Sequence, residues 1–258
     1  MPPDAIGRLL VGLVCVLAGY GSLFGGAELL RRRGVRGEAT RSLVHVGSGL
    51  LALALPWLFS SARPILLASI AFAAAMLISR CTGILGAIHD VRRPTFGAPL
   101  YPIGIAAAYV LTNGHAPGYV IAVLSLALGD PAASYAGRRF ARRTVSIWGT
   151  RRSLAGSASA CLVSAAITAV ALLASGAGAA PLLAVSFGVG LAVALAEATS
   201  PHGFDNLAIP VTAAAVLDVA GTPWRLLAAL AGLSAITLLG LTRSGSIAMT
   251  ARSQGALR

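Results

Sequence analysis

Apolar residues in this chain come in runs long enough to cross a bilayer, and its arginines fall between the runs. Nine runs are evident, at about 9–30, 43–60, 64–80, 98–112, 117–137, 153–175, 180–199, 207–220 and 223–241. Inside hydrocarbon each backbone N–H and C=O must be satisfied within its own segment, so runs of this kind fold as helices. The expected class is therefore all-α: a polytopic integral membrane protein of about nine transmembrane helices, with residues 1–258 forming a single transmembrane domain. Composition agrees. The chain is 57% hydrophobic and 11% charged, where a soluble domain is roughly a quarter charged. The runs at 98–112 and 207–220 fall short of the ~20 residues of a straight span and are expected to be tilted, re-entrant or differently bounded. Abundant Gly and Ala suit close helix packing in lipid, and Trp57 and Trp224 fall at span ends, where indoles favour the interface. No internal repeat, low-complexity linker or soluble domain is evident.

All 20 basic residues are arginine. The absence of lysine excludes Schiff-base chemistry and a Walker-type phosphate lysine. The net charge of +12 does not point to nucleic acid, because the arginines are dispersed between apolar segments. With nine spans, one side receives Arg31, Arg32, Arg33, Arg36, Arg41, Arg80, Arg92, Arg93, Arg138, Arg139, Arg142, Arg143, Arg151, Arg152, Arg243, Arg252 and Arg258; the other receives only Arg8, Arg63 and Arg225. The positive-inside rule makes the rich side cytoplasmic, with the N-terminus outside and the C-terminus inside. A single arginine before the first run and a cluster after it fit a retained helix rather than a cleaved signal peptide. The implied location is a bacterial-type plasma membrane. Cys15, Cys81 and Cys161 are widely spaced and form neither a metal pattern nor a disulfide framework.

Of the eight acids, Glu28, Glu38, Asp90, Asp130, Glu197 and Asp205 lie on or near the arginine-rich face. Asp130 and Glu197 fall inside runs, and an ionisable group inside a span is costly enough to point to function. A structural partnership with a nearby arginine is the other reading of each. Asp130 stands beside a loop carrying Arg138, Arg139, Arg142, Arg143, Arg151 and Arg152. Carboxylate plus guanidinium is what a Mg²⁺–polyphosphate ligand requires: the acid holds the hard cation and the arginines take phosphate oxygens. The loop ends in "TRRSLAGSASA", where Ser153 is placed to cap the next helix and Gly156 keeps its first turn small. A capped helix start beside an arginine suits an anion. The plainer reading is that these arginines orient the protein and bind anionic headgroups.

Four stretches carry a resemblance to a known family. They are "TRSLVHVGSGLLALALPWLF" from Thr40, "LGDPAASYAGRRFA" from Leu128, "RRSLAGSASA" from Arg151 and "EATSPHGFDNLAIPV" from Glu197. In order and spacing they resemble the Arg-Lys-x-x-His, Gly-Asp-x-x-Ala…Gly-Arg-x-Phe-Gly, Lys-Ser-x-x-Gly-Ser and Glu…Asp-Asn-x-x-x-Pro segments of the phytol kinase/dolichol kinase family. The family-like region covers about residues 40–215. The chain departs from the pattern at Ser42 and Arg152, where lysine is usual, and at Ala141, where glycine is usual. The signatures shade into those of the phosphatidate cytidylyltransferases, which are distantly similar.

The resemblance implies a membrane lipid kinase, a phosphotransferase with an alcohol acceptor. It would move the terminal phosphate of a nucleoside triphosphate, CTP or ATP, to an isoprenoid alcohol such as phytol, geranylgeraniol or dolichol. The active site is expected on the cytoplasmic face. Asp130 would hold Mg²⁺ or orient the alcohol, and Asp205 with Asn206 would provide a second metal or nucleotide contact. Arg41, Arg138, Arg139 and Arg152 would bind phosphate, helped by Ser153 and Gly156. Glu197 is the candidate base or supporting acid, and His45 a contact to the transferred phosphate. Partners are the lipid alcohol, the nucleotide and membrane lipids, with no nucleic acid. A CDP-lipid synthase would use the same metal site and release pyrophosphate, and a small transporter would account for the helices without catalysis.

Overall fold

The computed structural model of the chain describes residues 3–89, 95–141, 144–147, 150–176 and 178–219. The run at 223–241, with Trp224 and Arg225, lies outside the described residues, as do Asp90, Arg92, Arg93, Arg142, Arg143, Arg243, Arg252 and Arg258.

The other eight runs fall on helices. They are α1 (Pro3–Arg32), α2 (Gly37–Ala52) with the short α3 (Leu55–Leu58), α4 (Ala62–Thr82), α6 (Gly97–Thr112), α7 (Gly118–Leu124) leading into α8 (Asp130–Phe140), α9 (Leu154–Ala174), α10 (Ala179–Thr199) and α11 (Asp205–Val219); a short α5 (Gly86–His89) follows α4. Among the described residues, five stretches are long and apolar enough to cross a membrane: Ile6–Arg32, Ala62–Thr82, Gly118–Phe140, Leu154–Ala174 and Leu182–Thr199. Helix α6 is apolar but shorter. The run at 43–60 is not one helix. It breaks after Ala52, and Pro56, which has no N–H to donate, stands in the first turn of α3.

The interior is organised around α6, α7 and α11. Tyr119, Ile121, Leu126, Ile209 and Val216 are fully or almost fully buried there. Helix α11 packs against α6, α7 and α10, and α9 against α8 and α10. The close approach of α6 to α11 depends on Gly104, where a Cβ would lie 2.1 Å from the Asn206 carbonyl oxygen. The outer helices leave Val11, Val14, Leu17, Leu67, Ile70, Leu162, Val170 and Phe187 exposed, the surface that lipid would cover.

Two local features depart from straight helices. Ser125–Gly129 forms a π-helical turn between α7 and α8. Strands β1 (Thr144–Ile147) and β2 (Thr150–Ser153) form an antiparallel hairpin with Val145 opposite Arg152. The hairpin lies outside the all-α expectation. It carries the chain from α8 to α9 in an extended form rather than as an irregular arginine loop.

The arginine-rich junctions meet at one end of the bundle. Glu28 takes Arg31 and Arg32 in ion pairs and also accepts from the Ala87 N–H, tying α1 to α5. Arg80, at the end of α4, donates to the Thr95 carbonyl at 2.9 Å. The His202 carbonyl accepts from the Phe96 N–H and the Thr95 hydroxyl, which staples the α10–α11 loop to the start of α6.

Candidate active site

The π-turn delivers Asp130 to the first residue of α8. A π-turn shifts the helical hydrogen-bond register, and such turns cluster at functional sites. Here the Leu126 carbonyl within the turn lies 3.1 Å from His45 Nε2, and the same nitrogen is 3.7 Å from Asp130 Oδ2. Helix α2 reaches the turn through Gly49, where a Cβ would lie 2.3 Å from the Ala127 Cβ. The His45 ring stands edge-on to Tyr101 at 4.7 Å, and the Tyr101 hydroxyl donates to the His45 carbonyl at 2.8 Å. His45 and Asp130, 85 positions apart in sequence, are thus held as a pair by α2, α6 and the π-turn.

Arg152 forms the second focus. Its guanidinium meets Glu197 Oε1 at 2.5 Å and Asp205 Oδ2 at 3.3 Å, and also donates to the Ser200 carbonyl. The side chains of Arg152, Glu197 and Asp205 are 16%, 6% and 14% exposed. A buried ion is tolerated only when paired and hydrogen-bonded, and this arrangement meets that condition on two of the three guanidinium nitrogens; Nε is buried with no partner among the described residues. Burial and the nearby Asp130 carboxylate raise the Asp205 carboxyl above its ordinary range, and Arg152 opposes them. The two foci therefore form one electrostatic site.

Ser153 caps α9 as the sequence predicts: its hydroxyl accepts from the Gly156 N–H at 3.0 Å. Gly156 has a further role, because a Cβ there would lie 2.9 Å from the Ala133 carbonyl, so the glycine admits α8 against α9. Asn206 donates to the Gly97 carbonyl at 2.7 Å, while its own Oδ1 is buried without a partner among the described residues. Arg138 and Arg139 sit at the rim. Arg138 lies 3.4 Å from Glu38 with both side chains largely exposed, and Arg139 lies over the Phe140 ring. Ser42 faces out and donates to the Glu38 carbonyl.

Sequence reading missed a cavity of about 330 Å³ between α1, α2, α4 and α6, within the ~300–1,000 Å³ of small-molecule sites. Its polar end carries Arg41, His45, Arg80, Thr95 and Asn206. The rest is apolar, walled by Phe72 and Met76 of α4, Tyr20 and Phe24 of α1, and Ile105 of α6. Tyr20, Phe24 and Phe72 meet edge-on or tilted, with ring centroids 5.1–6.3 Å apart. The spacing of Ile65, Ala68, Ser69, Phe72, Met76 and Arg80 is one face of a helix, the available signal, yet any buried helix face shows it.

The donors near Asp130 suit a hard cation. Asp130, Asp205 and the unpartnered Asn206 Oδ1 are all oxygen donors, the preference of Mg²⁺. Among the described residues no group of three or more His, Cys, Asp or Glu converges to form an all-protein cage.

No family model matches the chain, and no solved structure matches it significantly. The phytol kinase of Synechocystis sp. is 29% identical over 201 residues, which cover 77% of this chain and 86% of that protein. The chain is thus similar to a phytol kinase, and the likeness extends over most of both proteins.

Proposed function

We propose that this protein is a membrane kinase that transfers the terminal phosphate of a nucleoside triphosphate, CTP in the first instance, to the hydroxyl of an isoprenoid alcohol. The observation that carries the reading is the join between two environments: an apolar slot ends at His45, and His45 stands 3.7 Å from Asp130. A greasy alcohol lying in the slot would present its hydroxyl at that end. A nucleotide would approach from the arginine-rich end of the bundle. The likeness to a phytol kinase supports the same chemistry.

Phosphoryl transfer asks a protein mainly for positioning and charge neutralisation. Asp130 and Asp205, with the Asn206 amide oxygen, would hold Mg²⁺, which neutralises phosphate charge when bound. Arg41, at the mouth of the slot, and Arg138 and Arg139, at the rim, would engage phosphate oxygens. The His45 imidazole would contact the transferred phosphate, and Asp130 would orient the attacking hydroxyl. The alcohol oxygen forms the new P–O bond, the bond to the leaving nucleoside diphosphate breaks, and the hydroxyl proton leaves with solvent or a nearby carboxylate. Arg152, pinned by Glu197 and Asp205, would hold the second carboxylate in place and add positive charge to the phosphate site. Glu197 acts here through Arg152, as a supporting acid. The shape of the slot excludes water from the acceptor's tail, and its polar end concentrates the charges where the phosphate arrives.

The test uses purified protein in detergent with Mg²⁺, labelled CTP or ATP, and a panel of lipid alcohols. Nucleoside diphosphate with a lipid monophosphate supports the reading. Pyrophosphate with a CDP-lipid replaces it with a cytidylyltransferase.

A further inference from the structure

The slot has a floor. Along α4 its lining runs from Ile65 to Arg80, about 22 Å of helix at roughly 1.5 Å per residue. At the end away from Arg80 the lining includes Phe59, and the α1 and α6 walls both reach that residue. On α1 the last lining residue is Val16; one turn further lies Gly12, where a Cβ would come within 3.0 Å of the Phe59 ring. On α6 the last lining residue is Ile105; one turn further lies Tyr109, whose hydroxyl donates to the Phe59 carbonyl at 3.1 Å. The Phe59 N–H is bonded to the Leu55 carbonyl at 2.9 Å, and the residue is 3% exposed. The glycine gives the ring its place, and α3 and α6 hold its backbone through the Leu55 carbonyl and the Tyr109 hydroxyl.

We infer that Phe59 sets the length of acceptor this protein takes: the slot admits an isoprenoid alcohol of about its own depth and disfavours long polyprenols, whose tails would meet the ring. The inference rests on the acceptor reading above. A hydroxyl held at His45 has the apolar lining ahead of it toward Phe59, and burying the tail along that lining is favourable. An alcohol shorter than the slot leaves apolar wall uncovered and binds less well for each methylene missing. A much longer one reaches the floor with its hydroxyl still short of the reacting end.

The experiment measures kcat/KM of the full chain in detergent for farnesol, geranylgeraniol and a dolichol-length polyprenol. Wild type should prefer geranylgeraniol to the polyprenol by about tenfold or more. Phe59→Ala should lower that ratio by opening the floor. Ala68→Phe, which narrows the slot partway along α4, should shift preference from geranylgeraniol toward farnesol. Ratios within one preparation do not depend on how much of a variant has folded. Unchanged ratios in both variants would overturn the inference even if the kinase activity stands. A diterpenoid alcohol bearing a photoreactive group at its tail end gives a readout without turnover: it should label residues 55–65 of the wild type. Labelling there with no turnover on any alcohol would sink the kinase reading and keep the slot; labelling elsewhere would sink the slot.

Discussion

Arg152 and Glu197 lie 45 residues apart in the chain, and their side chains meet at 2.5 Å, closing β2 onto the end of α10. The pair is buried, and Asp205 shares the same guanidinium. Removing one partner of such a pair leaves a charge stranded. Arg152→Gln should therefore destabilise the protein by about 3–5 kcal/mol as well as lower its activity. Glu197→Gln should cost less, because Asp205 still neutralises the arginine. Thermal unfolding in detergent checks the order; a Glu197 variant less stable than the Arg152 variant would show that the acid is needed for something other than this pairing.

Asp130→Asn keeps the size of the side chain and removes its charge. It should lower kcat by about a hundredfold or more, the scale of losing one electrostatic group at a phosphate site, while the melting temperature stays near wild type. Near-normal turnover by this variant would take Asp130 out of the chemistry.

Divalent metal should be needed for turnover. Chelation should abolish activity and added Mg²⁺ restore it. Asp205→Asn should raise the Mg²⁺ concentration for half-maximal activity by about tenfold or more. A titration that the variant leaves unmoved would assign the metal to other groups.

Gly104→Ala would push a methyl group to within 2.1 Å of the Asn206 carbonyl oxygen. We expect a loss of about 1–3 kcal/mol as α6 and α11 separate, with a raised KM because Asn206 lines the slot. Gly21→Ala in α1, where nothing lies within 4 Å, should be neutral or slightly stabilising. Unfolding of the two variants side by side separates the local clash from any general intolerance of alanine.

Orientation can be tested by cysteine labelling in a background lacking Cys15, Cys81 and Cys161. His115 and Arg151 are both exposed. His115→Cys should label in intact cells and Arg151→Cys should not, if the arginine-rich end is cytoplasmic. Gly114 is a poor reporter: at φ +67, and with a Cβ 2.7 Å from the Tyr109 ring, a side chain there is strained.

The sequence alone determined that the chain is a helical membrane protein, because hydrocarbon admits few other answers and hydropathy records each run locally. It placed the eight described runs on helices, and it placed the Ser153 cap, since a cap depends on residues three apart. It also brought Asp130 and Glu197 forward as charges inside spans, which are expensive, while Arg152 and Asp205 came forward through the family resemblance. Only the tertiary structure decided what these groups touch. That Glu197 faces Arg152, that the π-turn turns Asp130 toward His45, and that Phe59 floors a slot made by four helices all depend on packing between segments distant in sequence. Such packing is set by shape at glycines 12, 49, 104 and 156, and a glycine in a sequence does not say which neighbour it admits.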